Sequence, residues 1–196
     1  SDYALRRFVM PRIHPVDESL ADADTLEILG LVRDKVGTVP NFIATMANSL
    51  PVVRGFLGLS QALSTGLLSA ALRLKIALRV SEINKCHYCI SAHTVFAGHT
   101  GLDDAQVLNA RLGVAESEKE KAALLFTRKI VIHHGAVHAE DMKEIREAGY
   151  SDAEISEIVA NVILNLFTNY FNMAAEPDLD FPAATQIVEE SRDALN

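Results

Sequence analysis

Tryptophan is absent from this chain and aromatic residues make up only 6% of it, although hydrophobic residues reach 49%. A core so poor in rings is built from Ala, Leu, Ile and Val, a composition that suits packed helices. Cysteine is nearly absent as well, with two among 196 residues, Cys86 and Cys89. A pair this close cannot staple distant parts of a fold, which removes the usual reason for disulfides in secreted domains and favours a cytoplasmic dithiol. Basic residues are outnumbered, 18 against 26 acidic ones, for a net charge of −8. No Lys and Arg cluster interleaves with aromatics, so nucleic acid is not an expected partner. A membrane is not expected either, because Arg73, Lys75, Arg79 and Glu82 interrupt the best apolar run. The first residues contain no apolar stretch of the kind a secretory signal carries.

The chain length suits one domain with a sizeable core, and we expect a single domain over 1–196. Pro11, Pro15 and polar neighbours make 1–19 an extended arm that packs on the body or on a neighbouring subunit. From Ala23 to Val36, Leu26, Leu29, Val32 and Val36 recur at helical spacing and Gly37 closes the segment. A short helix opens at Pro40-Asn41-Phe42, and another carries Val53, Phe56, Leu57 and Leu63 from Pro51 to Gly66. Residues 67–83 form a long apolar-rich helix with Leu68, Leu72, Ile76 and Val80 spaced by four. Asn84 reads as the N-cap of a new helix over 85–97, ended by Gly98. Further helices are expected over 103–112, 118–133, 140–148, 152–174 and 183–193. No segment alternates with a period of two, so the fold class is all-α.

Chemistry concentrates in one short run, Ser81-Glu82-Ile83-Asn84-Lys85-Cys86-His87-Tyr88-Cys89-Ile90-Ser91-Ala92-His93. At about 100° per residue an unbroken helix would gather Glu82, Cys86, Cys89 and His93 within roughly 60° of arc. A helix capped at Asn84 would instead place both cysteines in its first turn, where free N–H groups and the dipole favour thiolate. Either arrangement groups a nucleophile, a base in His93 and an orienting carboxylate in Glu82. A second thiol captures an oxidised sulfur as a disulfide before it reaches irreversible acids.

The pattern Glu-x3-Cys-x-Tyr-Cys-x3-His, preceded by Ile76-Ala77-Leu78-Arg79-Val80-Ser81, resembles the alkyl hydroperoxidase D (AhpD) family within the wider carboxymuconolactone decarboxylase-like group. Pro40-Asn41-Phe42, His134-Gly135, Ala148-Gly149-Tyr150-Ser151-Asp152 and Asn169-Tyr170-Phe171-Asn172 are similar to its peroxidase-related branch. The resemblance implies an AhpD-like multi-helix bundle, assembly as trimers or hexamers, and cofactor-free reduction of small hydroperoxides at the expense of a dithiol or protein reductant. It also implies that Cys89 attacks the peroxide, that Cys86 resolves the oxidised sulfur, and that His93 is the family's histidine. Two positions depart from the best-studied members. Leu74 stands where they have a catalytic glutamate, and Tyr88 where they have a histidine, so Glu82 is expected to take over the glutamate's part from a nearer position.

Three other readings are open. Cys86, Cys89, His93 and a carboxylate could supply four zinc ligands, although structural zinc sites usually draw on two separated pairs. A lactone decarboxylase would have no need of two thiols, and a non-enzymatic redox switch would use the disulfide itself. His87 and His99 are read as surface or packing residues, and His133, His134 and His138 as a helix end followed by a loop.

Overall fold

The computed structural model describes residues 10–187, and among them every regular element is helical. The helices are α1 (Ala23–Val36), α2 (Asn41–Met46), α3 (Leu50–Ser64), α4 (Ala70–Ile83), α5 (His87–Ala97), α6 (Asp104–Leu112), α7 (Glu118–Ile132), α8 (Ala139–Glu147) and α9 (Asp152–Ala175), with a 3-10 turn at Gly98–Thr100. They fall into two compact units, one of residues 10–59 with 170–180 and one of residues 60–169 with 181–187.

In the first unit α1 starts where the Asp22 carboxylate accepts from Thr25 N at 2.8 Å and stops where Gly37 adopts φ +87°, so both boundaries agree with the sequence reading. Ile28, Leu29 and Val32 pack with Ile43, Met46 and Val53, and the rings of Phe42 and Phe56 meet edge-on at 5.7 Å. Residues 1–9 of the expected arm lie outside the described residues. Its remainder packs on the unit, with Arg12 N and Ile13 N donating to Ala175 O and Val16 N donating to Ala44 O.

The second unit is organised around α4, which packs against α5, α6 and α7. One face, Leu72, Ile76 and Val80, joins Leu124, Ile130, Ile145, Ile158 and Val162 in the main core. The opposite face, Leu74, Ala77 and Leu78, meets Ala97, Val107 and Ala110. A helix buried on both sides is apolar all round, which explains why the sequence shows a broad rather than a striped pattern there. This helix begins at Ala70 and not at residue 67, because the backbone N–H groups of Leu67 and Leu68 donate to the Glu157 carboxylate while Ser69 Oγ caps Leu72 N.

Two further expectations need correction. Residues 183–187 form no helix; Ala184 N donates to Ser91 Oγ at 3.0 Å after Pro182, which holds this stretch along α5, and residues 188–193 lie outside the described residues. Residues 158–175 carry no charge, so α9 is long and apolar enough to cross a membrane by length and composition. Its Ile158 and Val162 are fully buried in the core, and Asn161, Asn165 and Asn169 are buried beside them. A buried line of amides at four-residue spacing is the mark of a helix packed against protein.

Candidate functional site

The cysteines sit at the junction of α4 and α5, and the junction is built differently from the sequence reading. Asn84 is the C-cap of α4, not the N-cap of α5. Lys85 follows at φ +56°, Lys85 N donates to Glu82 O at 3.2 Å, and Cys86 N donates to Ser81 O at 3.0 Å. This double bond pattern around a left-handed residue is the Schellman ending of a helix. The Asn84 side chain is engaged elsewhere, donating to Asn169 Oδ1 at 3.0 Å, while Asn169 Nδ2 donates to Ser81 Oγ at 3.2 Å. Cys86 therefore closes α4 and, with φ −81° and ψ 90°, serves as the N-cap of α5.

Cys89 lies in the first turn of that helix and is joined to Cys86 in a disulfide with Cα atoms 5.3 Å apart. Both sulfurs thus stand over the unbonded N–H groups and the positive dipole end of α5, an environment that lowers a thiol pKa once the bond is reduced. Both residues are buried, at 2% and 3% exposure. Tyr88 between them packs edge-on against Phe181 at 5.6 Å, and Phe181 meets Phe96 at 5.7 Å.

His93 follows Cys89 by one helical turn, so the two share a face of α5. The ring keeps some accessible surface but lies deep in protein, and burial pushes its pKa down to about 4 against the opposing effect of a hydrogen bond with the Asn165 side chain. Asn165 Nδ2 donates to Asn161 O at 2.8 Å, which leaves Asn165 Oδ1 to accept from the imidazole N–H. The orienting group of His93 is therefore an α9 amide. Moving a proton from an ordinary thiol near 8.5 to an imidazole near 4 is uphill by about 6 kcal/mol. His93 accordingly suits a neutral hydrogen-bond partner that passes a proton in transit, and the helix N-terminus is left to stabilise thiolate.

The linkage has a definite sign. Between about pH 6.5 and pH 4 the unfolded imidazole binds a proton that the native one does not, so stability falls as pH falls through that window. The group is expected to make the wild type about 2 kcal/mol less stable at pH 5 than at pH 7.5, a difference absent in His93→Gln, as measured by urea unfolding at both pH values. An equal pH dependence in both proteins would contradict this placement of His93.

Glu82 is not directed to His93 by any interaction that shifts the imidazole. Its carboxylate is 4% exposed and accepts from Arg111 Nε at 2.9 Å, so its ion-pair partner comes from α6 and not from the neighbouring Arg79 or Lys85 that the sequence suggested. Arg79 Nη1 in turn donates to Arg111 O at 2.8 Å. Gly113 closes α6 at φ +81°, and a Cβ there would stand 2.9 Å from the Arg79 guanidinium carbon. Gly113→Ala is expected to cost about 1–2 kcal/mol through the left-handed backbone alone and to displace Arg79 as well, measurable by denaturation and by a crystal structure of the variant.

Asn165 and Arg111 are the residues that sequence reasoning missed. The first had a signal, since Asn161, Asn165 and Asn169 recur every four positions on an otherwise apolar helix. The second had none. His87 and His99 are exposed, as expected, and so are His133, His134 and His138, with His133 capping the end of α7. Among the described residues no group of three or more His, Cys, Asp or Glu side chains gathers as metal ligands would.

Fold and site together define an all-helical protein with a disulfide-forming cysteine pair at a helix N-terminus and a buried histidine one turn further on. Residues 51–129, which hold the whole motif, match the carboxymuconolactone decarboxylase family. That region belongs to the family, and the described chain has an AhpD-like fold. A peroxidase-related protein from Silicibacter sp. TM1040 superimposes with a TM-score of 0.75 at 24% identity, covering 86% of this chain and 94% of the other. The alkylhydroperoxidase AhpD core of a peroxidase-related protein from Ralstonia eutropha JMP134 gives 0.79 at 23% identity, with 87% and 92% covered. The debrominase Bmp8, as a cysteine-to-alanine variant in complex with 2,3,4-tribromopyrrole, gives 0.73 at 23% identity, with 86% and 91% covered. No curated protein matches the chain.

Proposed function

We propose that the chain is a thiol-dependent peroxidase that reduces small hydroperoxides through a Cys86/Cys89 dithiol–disulfide cycle. The observation that carries this reading is the cysteine pair at the N-terminus of α5, close enough to close a disulfide and followed by a buried neutral imidazole on the same helix face. Cys89 thiolate attacks one peroxide oxygen, the O–O bond breaks, and the alkoxide leaves as the alcohol after taking a proton passed through His93. Cys86 then attacks the sulfenic sulfur, a hydroxide leaves as water, and the disulfide closes. An external dithiol or protein reductant returns two electrons. In this scheme Glu82 acts on the junction that holds Cys86 more than on the proton path, because its carboxylate is committed to Arg111.

Assembly as trimers or hexamers belongs to the same proposal, and light scattering on the purified protein tests it. The likeness to Bmp8 favours one second reading, reductive debromination of a small aromatic, in which the dithiol supplies two electrons, hydrogen replaces bromine on carbon, and bromide leaves. A lactone decarboxylase would leave the thiol pair unused. The deciding experiment incubates reduced protein with one equivalent of hydrogen peroxide, an alkyl hydroperoxide, a bromopyrrole or the lactone acid, and follows thiol loss with product. Stoichiometric disulfide and alcohol from a hydroperoxide supports the peroxidase. Bromide release with disulfide, or lactone turnover without thiol loss, replaces it.

A further inference from the structure

Beneath the α4–α5 junction the second unit contains a cleft of about 190 Å³ lined by Arg79, Glu82, Lys85, Arg111 and Arg128 together with Ile83, Leu112 and Ile132. Three arginines and a lysine thus face a single carboxylate. Other buried cations of this unit have a carboxylate of their own, as Lys75 has Glu120 at 2.8 Å. Here the one carboxylate, Glu82, is already engaged by Arg111 Nε. Arg79 is 91% buried by its 9% exposure, and its Nε is buried with no hydrogen-bond partner among the described residues. Burial and then the charge of Arg128 push its pKa down to about 10, with Glu82 opposing.

A buried guanidinium N–H without an acceptor costs on the order of 1–3 kcal/mol, and a gathering of like charges adds to that cost. Both costs are relieved by an anion that accepts from the guanidinium groups, whose planar forks match carboxylate and phosphate oxygens. The volume is below the 300–1,000 Å³ of ordinary drug-sized sites, so the guest is compact. The apolar side chains of Ile83, Leu112 and Ile132 leave room for a short carbon skeleton beside the charged end.

We propose that this cleft is a binding site for a compact oxyanion, a carboxylate or phosphate group, held chiefly by the Arg79 and Arg128 guanidinium groups with Lys85 completing the cationic wall. The site is distinct from the cysteine pair, since neither sulfur lines it. It is joined to that pair through the chain, because Lys85 is the left-handed residue of the turn and Cys86 is the next one. An anion drawn to Lys85 therefore holds the turn that sets the Cys86 N-cap. The site does not depend on peroxidase activity and can be tested without it.

The test is isothermal titration calorimetry of the full chain with phosphate, acetate and succinate at constant ionic strength held by chloride. Saturable binding of succinate or acetate assigns the site to an organic acid, and saturable binding of phosphate alone assigns it to a phosphate group; either supports the proposal. Arg128→Gln, at a less buried position, and Arg79→Lys, which keeps the charge but loses the fork, are each expected to weaken binding about tenfold or more. Arg146→Gln, outside the cleft in a surface pair with Asp152, is expected to bind as wild type. Glu82→Gln removes the competing carboxylate, so its melting temperature should rise more steeply with added anion than that of wild type. No saturable heat above the chloride background, or unchanged affinity in both arginine variants, overturns the proposal.

Discussion

Cys89→Ser is expected to lower dithiol-dependent peroxide turnover by at least about a thousandfold, because the hydroxyl is far less nucleophilic than the thiolate that the α5 N-terminus favours. The variant should also fail to consume one equivalent of peroxide in a single turnover. Cys86→Ser is expected to differ in kind. Its Cys89 can still attack, so one equivalent of peroxide is consumed rapidly, but no disulfide closes and cycling stops. Excess peroxide should then carry the trapped sulfenic acid to sulfinic acid, seen as a mass gain on the peptide containing Cys89. The paired experiment reports the order of attack as well as the need for thiols. Cys86 is the N-cap and stands nearest the dipole end of α5, so the opposite pattern, a dead Cys86→Ser and a once-reacting Cys89→Ser, would exchange the two roles.

The second large effect concerns Glu82. Its carboxylate is the counter-charge for Arg111 by direct contact and acts on Arg79 through space, in surroundings where both arginines are buried. Glu82→Gln is expected to destabilise the chain by about 3–5 kcal/mol at pH 7, since it leaves buried guanidinium groups without their anion. Arg111→Leu is expected to cost less, because Arg79 and Arg128 still face the carboxylate across the cleft. Combining Glu82→Leu with Arg111→Leu should recover part of the loss, giving a coupling energy in a double-mutant cycle of urea unfolding. Additive losses would mean that the 2.9 Å contact contributes no coupling. Peroxide turnover measured on the same variants at a temperature where all are folded separates the two parts that Glu82 could play. Activity that follows the folded fraction marks a structural carboxylate; loss in fully folded protein marks a place in the proton path.

Helix positions were largely legible, and for local reasons. The Asp22 cap, the apolar spacing through Val32 and the left-handed Gly37 all act within a turn or two, so α1 begins and ends where a reader of the residues places it. Asp103 and Gln106 form a capping box before α6, and Ser117 caps α7, again from residues close in sequence. Misreadings occurred where a distant residue took over a local group. Glu157 captured the N–H groups of Leu67 and Leu68 and delayed α4. Asn169 occupied Asn84 and moved the cap of α5 to Cys86. Ser91 held Ala184, and the helix expected from 183 is extended over its described part.

By itself, the sequence determined an all-helical protein whose two cysteines lie beside a helix start with a histidine one turn beyond, because those features depend on spacing along one chain. Only the tertiary structure decided what each charged or polar group does. Asn165 approaches His93 from α9, separated by 72 positions, and burial by surrounding helices is what makes that imidazole neutral at physiological pH. Arg111 reaches Glu82 from 29 positions away and turns an expected proton-relay residue into half of a buried ion pair. Partners and burial are properties of packing, and no local pattern encodes which side chain will arrive from another helix or how little water it will leave.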